Sequence, residues 1–132
     1  MGPGKRATAV ERAHMGRCKT SVCIPCLLRV MAKVMPATWA VVGHDGTGSL
    51  FFGLLDYHHA KSGNLRRGHL FGWAMCKWHH ERIPPDGWTH EQAQNRWGTS
   101  LKDGSRLFRE TYGDDDSLIE AQAFVLEHGH AF

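Results

Sequence analysis

The chain has 132 residues and a formal net charge of +3, enough for one domain with a modest core that gains from an added staple. Nothing in residues 1–20 reads as a secretory leader, since the stretch is basic and polar, so the four cysteines point to metal ligation rather than disulfides. The longest apolar region, 27–42, is broken by Arg29, Lys33 and Pro36, which excludes a membrane span and suggests a cytoplasmic chain.

Charge is uneven along the sequence. Residues 1–35 carry seven Lys/Arg against the single acid Glu11, whereas the remainder carries nine Lys/Arg against twelve Asp/Glu. Residues 1–17, with Gly2, Pro3 and Gly4 and little apolar periodicity, read as a flexible basic arm able to meet phosphates or simply to stay solvated. Residues 18–132 read as the folded domain.

Within that domain, Leu27 to Met35 suggests a short helix ended by Pro36, and Trp39 to Val42 a strand. A turn is expected over His44 to Gly48, then a second strand over Leu50 to Tyr57 that runs into His58-His59. A polar loop from Ala60 to Gly68 leads to a short returning strand at His69 to Ala74 and a helix from Cys76 to Arg82. Residues 88–129 look helical. Thr89 and Gln92 fit a capping box, Gly98 stops that helix, and Ser105 to Tyr112 forms another before Gly113. Asp114 to Ser117 opens a last helix with an apolar face of Leu118, Ala121 and Val125.

Two pairs with the same spacing carry metal chemistry. Cys23-x-x-Cys26 is a knuckle, and Cys76-x-x-His79 sits at a helix start; three thiolates and an imidazole suit a closed tetrahedral zinc site, in the manner of a treble clef. The competing reading is that these cysteines pack as small apolar residues. Cys18 is left over, as a substitute ligand or a free thiol.

The histidines suggest a second site. Neighbours on a strand point to opposite faces, so His58 and His59 should divide the work, and His80 lies about 100° around the helix from His79. Phosphodiester hydrolysis needs an activated water and charge stabilisation, which assigns His59 as general base and His58 with His80 as ligands of a divalent ion, magnesium or manganese before others. His69 would orient the base or touch the scissile phosphate, and Lys61, Arg66, Arg67 and Lys77 would meet the DNA backbone. Trp73, Trp78, Trp88 and Trp97 read as packing residues.

These residues resemble a known family. Val22 to Cys26 (Val-Cys-Ile-Pro-Cys), Asp56 to His59 (Asp-Tyr-His-His), Arg67 to His69 (Arg-Gly-His) and Met75 to His80 (Met-Cys-Lys-Trp-His-His) look like the Ref group of phage recombination-enhancement nucleases. Gly98 to Gly113 looks like that family's closing segment, and the likeness spans roughly residues 18–127. The resemblance implies an α+β fold of the zinc-stabilised His-Asn-His (HNH), ββα-metal type with its core over about 50–83 and added C-terminal helices. It also implies metal-dependent DNA cleavage, with the host RecA filament as a candidate partner. The chain differs from the pattern in placing His69 where the naming Asn is expected, Met75 for Leu, and Lys102 where relatives can have a His. No membrane partner is expected, and a monomer is. The alternatives are a non-catalytic zinc module that binds nucleic acid, and a small-molecule zinc hydrolase in which His58, His59 and His80 hold the ion.

Overall fold

A computed structural model describes residues 6–43, 55–62 and 65–130, and of residues 62, 65 and 66 the backbone alone. The expected turn at His44 to Gly48 and the first part of the expected second strand fall outside the described residues. The architecture is mixed: helices surround a small antiparallel sheet.

The N-terminal segment is not an arm throughout. Residues Ala9–Lys19 form helix α1, started by a capping box in which Thr8 Oγ1 accepts from Glu11 N–H at 3.1 Å and Glu11 Oε1 accepts from Thr8 N–H at 2.8 Å. The helix buries only Cys18 yet packs against the sheet, so a sparse apolar pattern hid it. Helix α2 (Ile24–Met31) begins earlier than expected because Pro25 is tolerated in a first turn. It also ends before Pro36 can act: Lys33 takes a left-handed conformation at φ 61°, and Val34 N–H reaches back to the Arg29 carbonyl at 3.0 Å.

Trp39 to Val42 is not a strand. Residues Ala37–Trp39 make a single tight helical turn, and Val42 pairs alone with Val22. Local propensity loses here to tertiary partners: the Trp39 carbonyl accepts from Trp97 Nε1 at 2.7 Å and the Trp39 ring packs on Arg96. The pairing still serves the domain, because Cys23 N–H donates to the Val41 carbonyl at 3.0 Å and so fixes the Cys knuckle.

Strands β1 (Asp56–His59) and β4 (Gly72–Met75) pair antiparallel in the register Asp56↔Met75, Tyr57↔Ala74, His58↔Trp73 and His59↔Gly72. Between them the polar loop carries a two-rung ladder, β2 (Lys61–Ser62) with β3 (Leu65–Arg66). His69 lies in the turn before β4 rather than in the returning strand. Gly72 is required by close approach, since a Cβ there would lie 2.3 Å from the His58 carbonyl and 2.7 Å from the Tyr57 ring. β4 is buried along its whole length and leads through Cys76 into α3 (Lys77–Glu81). That helix ends at Arg82, left-handed at φ 58°, ahead of Pro84 and Pro85.

The C-terminal part follows the sequence reading closely. Helix α4 (His90–Trp97) has the Thr89/Gln92 capping box and stops at Gly98. α5 (Ser105–Tyr112) stops at Gly113, and α6 (Asp115–His128) is capped by the Asp114 side chain. On α6 the buried positions are Leu118, Gln122 and Val125, with Ala121 only partly covered. Gln122 is buried because it is satisfied: its Oε1 accepts from Ala74 N–H on the free side of β4 at 2.8 Å, and its Nε2 donates to Ser21 Oγ at 3.1 Å. Trp73, Trp97, Ile24, Met75 and Leu118 form the centre of the core. No helix among the described residues is long and apolar enough to cross a membrane.

The Gln122 bridge gives a stability prediction. Gln122→Met keeps the volume but orphans a buried strand amide, and should cost about 1–3 kcal/mol, read as a lower denaturant midpoint. An unchanged midpoint would show that the bridge contributes nothing.

Candidate active cleft and metal cluster

The two Cys/His pairs meet in the interior. Cys23 and Cys26 come from the start of α2 and Cys76 and His79 from the start of α3, and all four are buried with their donor atoms within 4.8 Å of one another. His79 Nδ1 lies 3.4 Å from Cys23 Sγ, 3.6 Å from Cys26 Sγ and 3.3 Å from Cys76 Sγ. Zinc–sulfur and zinc–nitrogen bonds at tetrahedral angles imply N···S edges of about 3.5 Å, so the cluster fits a metal such as zinc. His79 Nε2 donates to the Trp97 carbonyl at 2.8 Å, so in the neutral ring Nδ1 is the nitrogen that offers its lone pair to the side of the sulfurs. Burial pushes the Cys23 and Cys26 thiols well up, helped by Cys26 and Cys76 at Cys23 and by Cys76 at Cys26. Burial also raises Cys76, but hydrogen bonds from the other two and the nearby His79 outweigh it and hold that thiol well down. Without a cation the three sulfurs therefore resist becoming thiolates together, and a bound metal would reverse this.

Cys18 stands apart from the cluster. It is buried, its Sγ lies 3.7 Å from His14 Nε2, and burial pushes its thiol up to about 12, which makes it an inert packing residue.

A second constellation forms where β1 meets α3. Alternation puts Asp56 and His58 on one face of β1 and Tyr57 and His59 on the other. On the first face, His58 packs against Trp73 and His80, with ring centroids 4.9 and 5.4 Å away. Asp56 Oδ2 accepts from His80 Nδ1 at 2.8 Å, and its Oδ1 accepts from Lys77 Nζ at 2.6 Å. An ionised carboxylate accepts only, so a His80 proton sits on Nδ1, and in the neutral ring Nε2 is the nitrogen that carries the lone pair. Burial raises the Asp56 carboxyl, but Lys77 and His80 more than offset this and hold it below its ordinary value. It is therefore charged throughout the neutral range.

On the second face, His59 Nε2 and His69 Nδ1 share a hydrogen bond of 3.0 Å, and the Tyr57 ring stands edge-on to His59 at 5.1 Å. Tyr57 O–H donates to the His69 carbonyl at 3.0 Å, so both the ring and the backbone of His69 are tied to β1. His58, His59 and His80 open onto one cleft of about 570 Å³, together with Lys61 and, from the far side, Lys102, Ser105 and Arg109.

The cations nominated from sequence fare differently. Lys61 lines the cleft. Lys77 is held by Asp56, and Arg67 by Asp116 at 2.7 Å with its guanidinium over Phe71. The Arg66 side chain is outside the described residues. Asp56 was missed by sequence reasoning, although its place two residues before His58 on a strand was the available signal. Lys102 was marked only as a residue standing where relatives can have a His, and Arg109 carried no signal, because only packing brings it near the histidines.

The family model for recombination enhancement, RecA-dependent nucleases matches residues 7–127. The chain belongs to this family. No curated protein and no solved structure matches it. For this family member the name implies nuclease activity, and the match takes in the metal cluster, the histidine cleft and helices α1 and α4–α5 in one continuous stretch.

The cluster makes a direct prediction. Purified protein should carry zinc at about one equivalent per chain, and Cys23→Ser should lower both the metal content and the melting temperature. Cys18→Ser should leave the metal content unchanged. Metal analysis that finds equal loss in both variants would refute the division between Cys18 and the cluster.

Proposed function

We propose that this RecA-dependent nuclease family member is an HNH-type endonuclease that hydrolyses DNA phosphodiester bonds, built on a ββα unit of β1, β4 and α3 stapled by zinc in treble-clef fashion. The observation that carries the reading is the shared cleft: His58 and His80 face it with His80 Nδ1 held by Asp56, and His59 opens onto it while hydrogen-bonded to His69. A zinc module that only binds nucleic acid would need the Cys/His cluster but not this second constellation.

In the proposed reaction His59 takes a proton from water as the water oxygen forms a bond to phosphorus and the bond to the leaving sugar oxygen breaks. His69 holds the His59 ring in place through their 3.0 Å hydrogen bond. His58 and His80 would hold a divalent ion, magnesium or manganese, which would supply stabilisation of the negative charge that develops as the phosphodiester is cut. Asp56 is a positioning residue: it fixes the His80 tautomer and aims the ring. Lys61 sits at the cleft for the DNA backbone. Host RecA is the candidate partner, in keeping with the RecA dependence of the family, and DNA held in its filament would be the substrate form.

Supercoiled plasmid cleavage with magnesium or manganese, with and without RecA, tests the reading. His59→Ala should cut at least about 100-fold more slowly than wild type. Wild-type protein that leaves every DNA form intact under all these conditions would sink the proposal. Asp56→Asn should shift the metal concentration for half-maximal cleavage upward by about 10–100-fold, and an unchanged metal dependence would remove its positioning role.

A further inference from the structure

The cleft has a second wall. The turn Leu101–Asp103 and helix α5 face the histidines with Lys102, Ser105 and Arg109, and Ser105 and Arg109 are four residues apart on one face of α5. That wall is fastened to the helix that carries His80. Ser100 Oγ donates to the His79 carbonyl at 3.2 Å, and Asp103 joins Arg82 at 3.0 Å while also capping the Ser100 amide at 2.9 Å. Tyr112 O–H then ties α5 back to the Thr99 carbonyl at 2.7 Å, and Phe108 is buried beneath it. The separation between the histidines and these cations is therefore set by packing rather than by a loop.

The cations of this wall are also less committed than others. Lys77 and Arg67 are neutralised within the chain at 2.6 and 2.7 Å, whereas Arg109 reaches Asp115 only at 4.0 Å. Lys102 forms no ion pair among the described residues. An anion-binding groove needs such groups: charged, held at a fixed distance, and not already satisfied.

We propose that Lys102 and Arg109 bind the DNA phosphates flanking the scissile one, so that the strand lies between the histidine wall and α5. The assignment rests on the nuclease reading for the word scissile, but its binding consequence can be measured alone. Each phosphate neutralised releases counterions, so each cation adds about 0.9 to the slope of log affinity against log salt on duplex DNA, and about 0.7 on a single strand.

The test is fluorescence anisotropy on a short duplex and a single strand in zinc-loaded His59→Ala protein, without added magnesium or manganese, over about 50–200 mM salt. Adding Lys102→Ala and Arg109→Ala together should weaken binding and flatten the duplex slope by about 2. Arg106→Ala removes one positive charge from the helix that carries Arg109, from a side chain outside the cleft lining that pairs with Glu110, and should leave the slope at the parent value. Lys102→Arg with Arg109→Lys keeps the charges and should retain the slope. The proposal is overturned if the double alanine variant matches Arg106→Ala, if the charge-keeping variant loses as much slope, or if the parent binds neither DNA. A flattened slope in a protein whose wild type cuts no plasmid would keep the phosphate wall and discard the nuclease reading. Cleavage with an unaltered slope would do the reverse.

Discussion

Both ring nitrogens of His79 are engaged, and most of the molecule hangs from them. Nδ1 faces three sulfurs at 3.3–3.6 Å, while Nε2 donates to the Trp97 carbonyl at 2.8 Å. The first set joins the knuckle at α2 to the corner between β4 and α3, and the second joins α3 to the end of α4. A chain of this size has few apolar residues to spare, so a metal that gathers four buried donors would replace core that the sequence does not contain. The same fastening has a geometric result. With His79 turned inward, His80 is rotated by about 100° and comes out beside β1.

Strand β1 then sorts chemistry by face. Asp56 and His58 share one side with His80, where a charged carboxylate holds the Nδ1 proton of the imidazole. Tyr57 and His59 share the other, where His69 is held both by its ring and by its backbone carbonyl. A period of two is what lets adjacent histidines carry different roles while still opening onto one cleft. Gly72 makes this possible opposite His59, because any side chain there would collide with the Tyr57 ring and the His58 carbonyl.

Electrostatics in the cleft depend on which cations remain available after folding. Lys77 is spent on Asp56, where it helps keep that carboxyl ionised, and Arg67 on Asp116 at the start of α6. Lys61 on the sheet side and Lys102 and Arg109 on the helical side line the cleft beside the acids Glu81 and Asp115. A linear count of basic residues cannot make this distinction, since an ion pair within the chain removes a cation from the phosphate-binding set as surely as a substitution would.

The sequence by itself determined what local pattern and ligand chemistry can determine. The two x-x spacings named Cys23, Cys26, Cys76 and His79, which the fold gathers at ligand distance, and caps and glycines marked α4, α5 and α6 because those signals are satisfied within a few residues. Where partners lie far along the chain the local reading gave way. Trp39 to Val42 exchanged a strand for a turn under Trp97 and Arg96, and α1 formed on a capping box with one buried residue where an arm was expected. The buried Gln122 breaks the expected apolar face of α6 because Ala74 and Ser21 satisfy it from two other elements. Lys102 and Arg109 reach the cleft only through the Ser100, Arg82 and Tyr112 ties. Ligand identity is a property of residue type and spacing, whereas the walls of a cleft are set by contacts between residues tens of positions apart, which no periodicity in the sequence records.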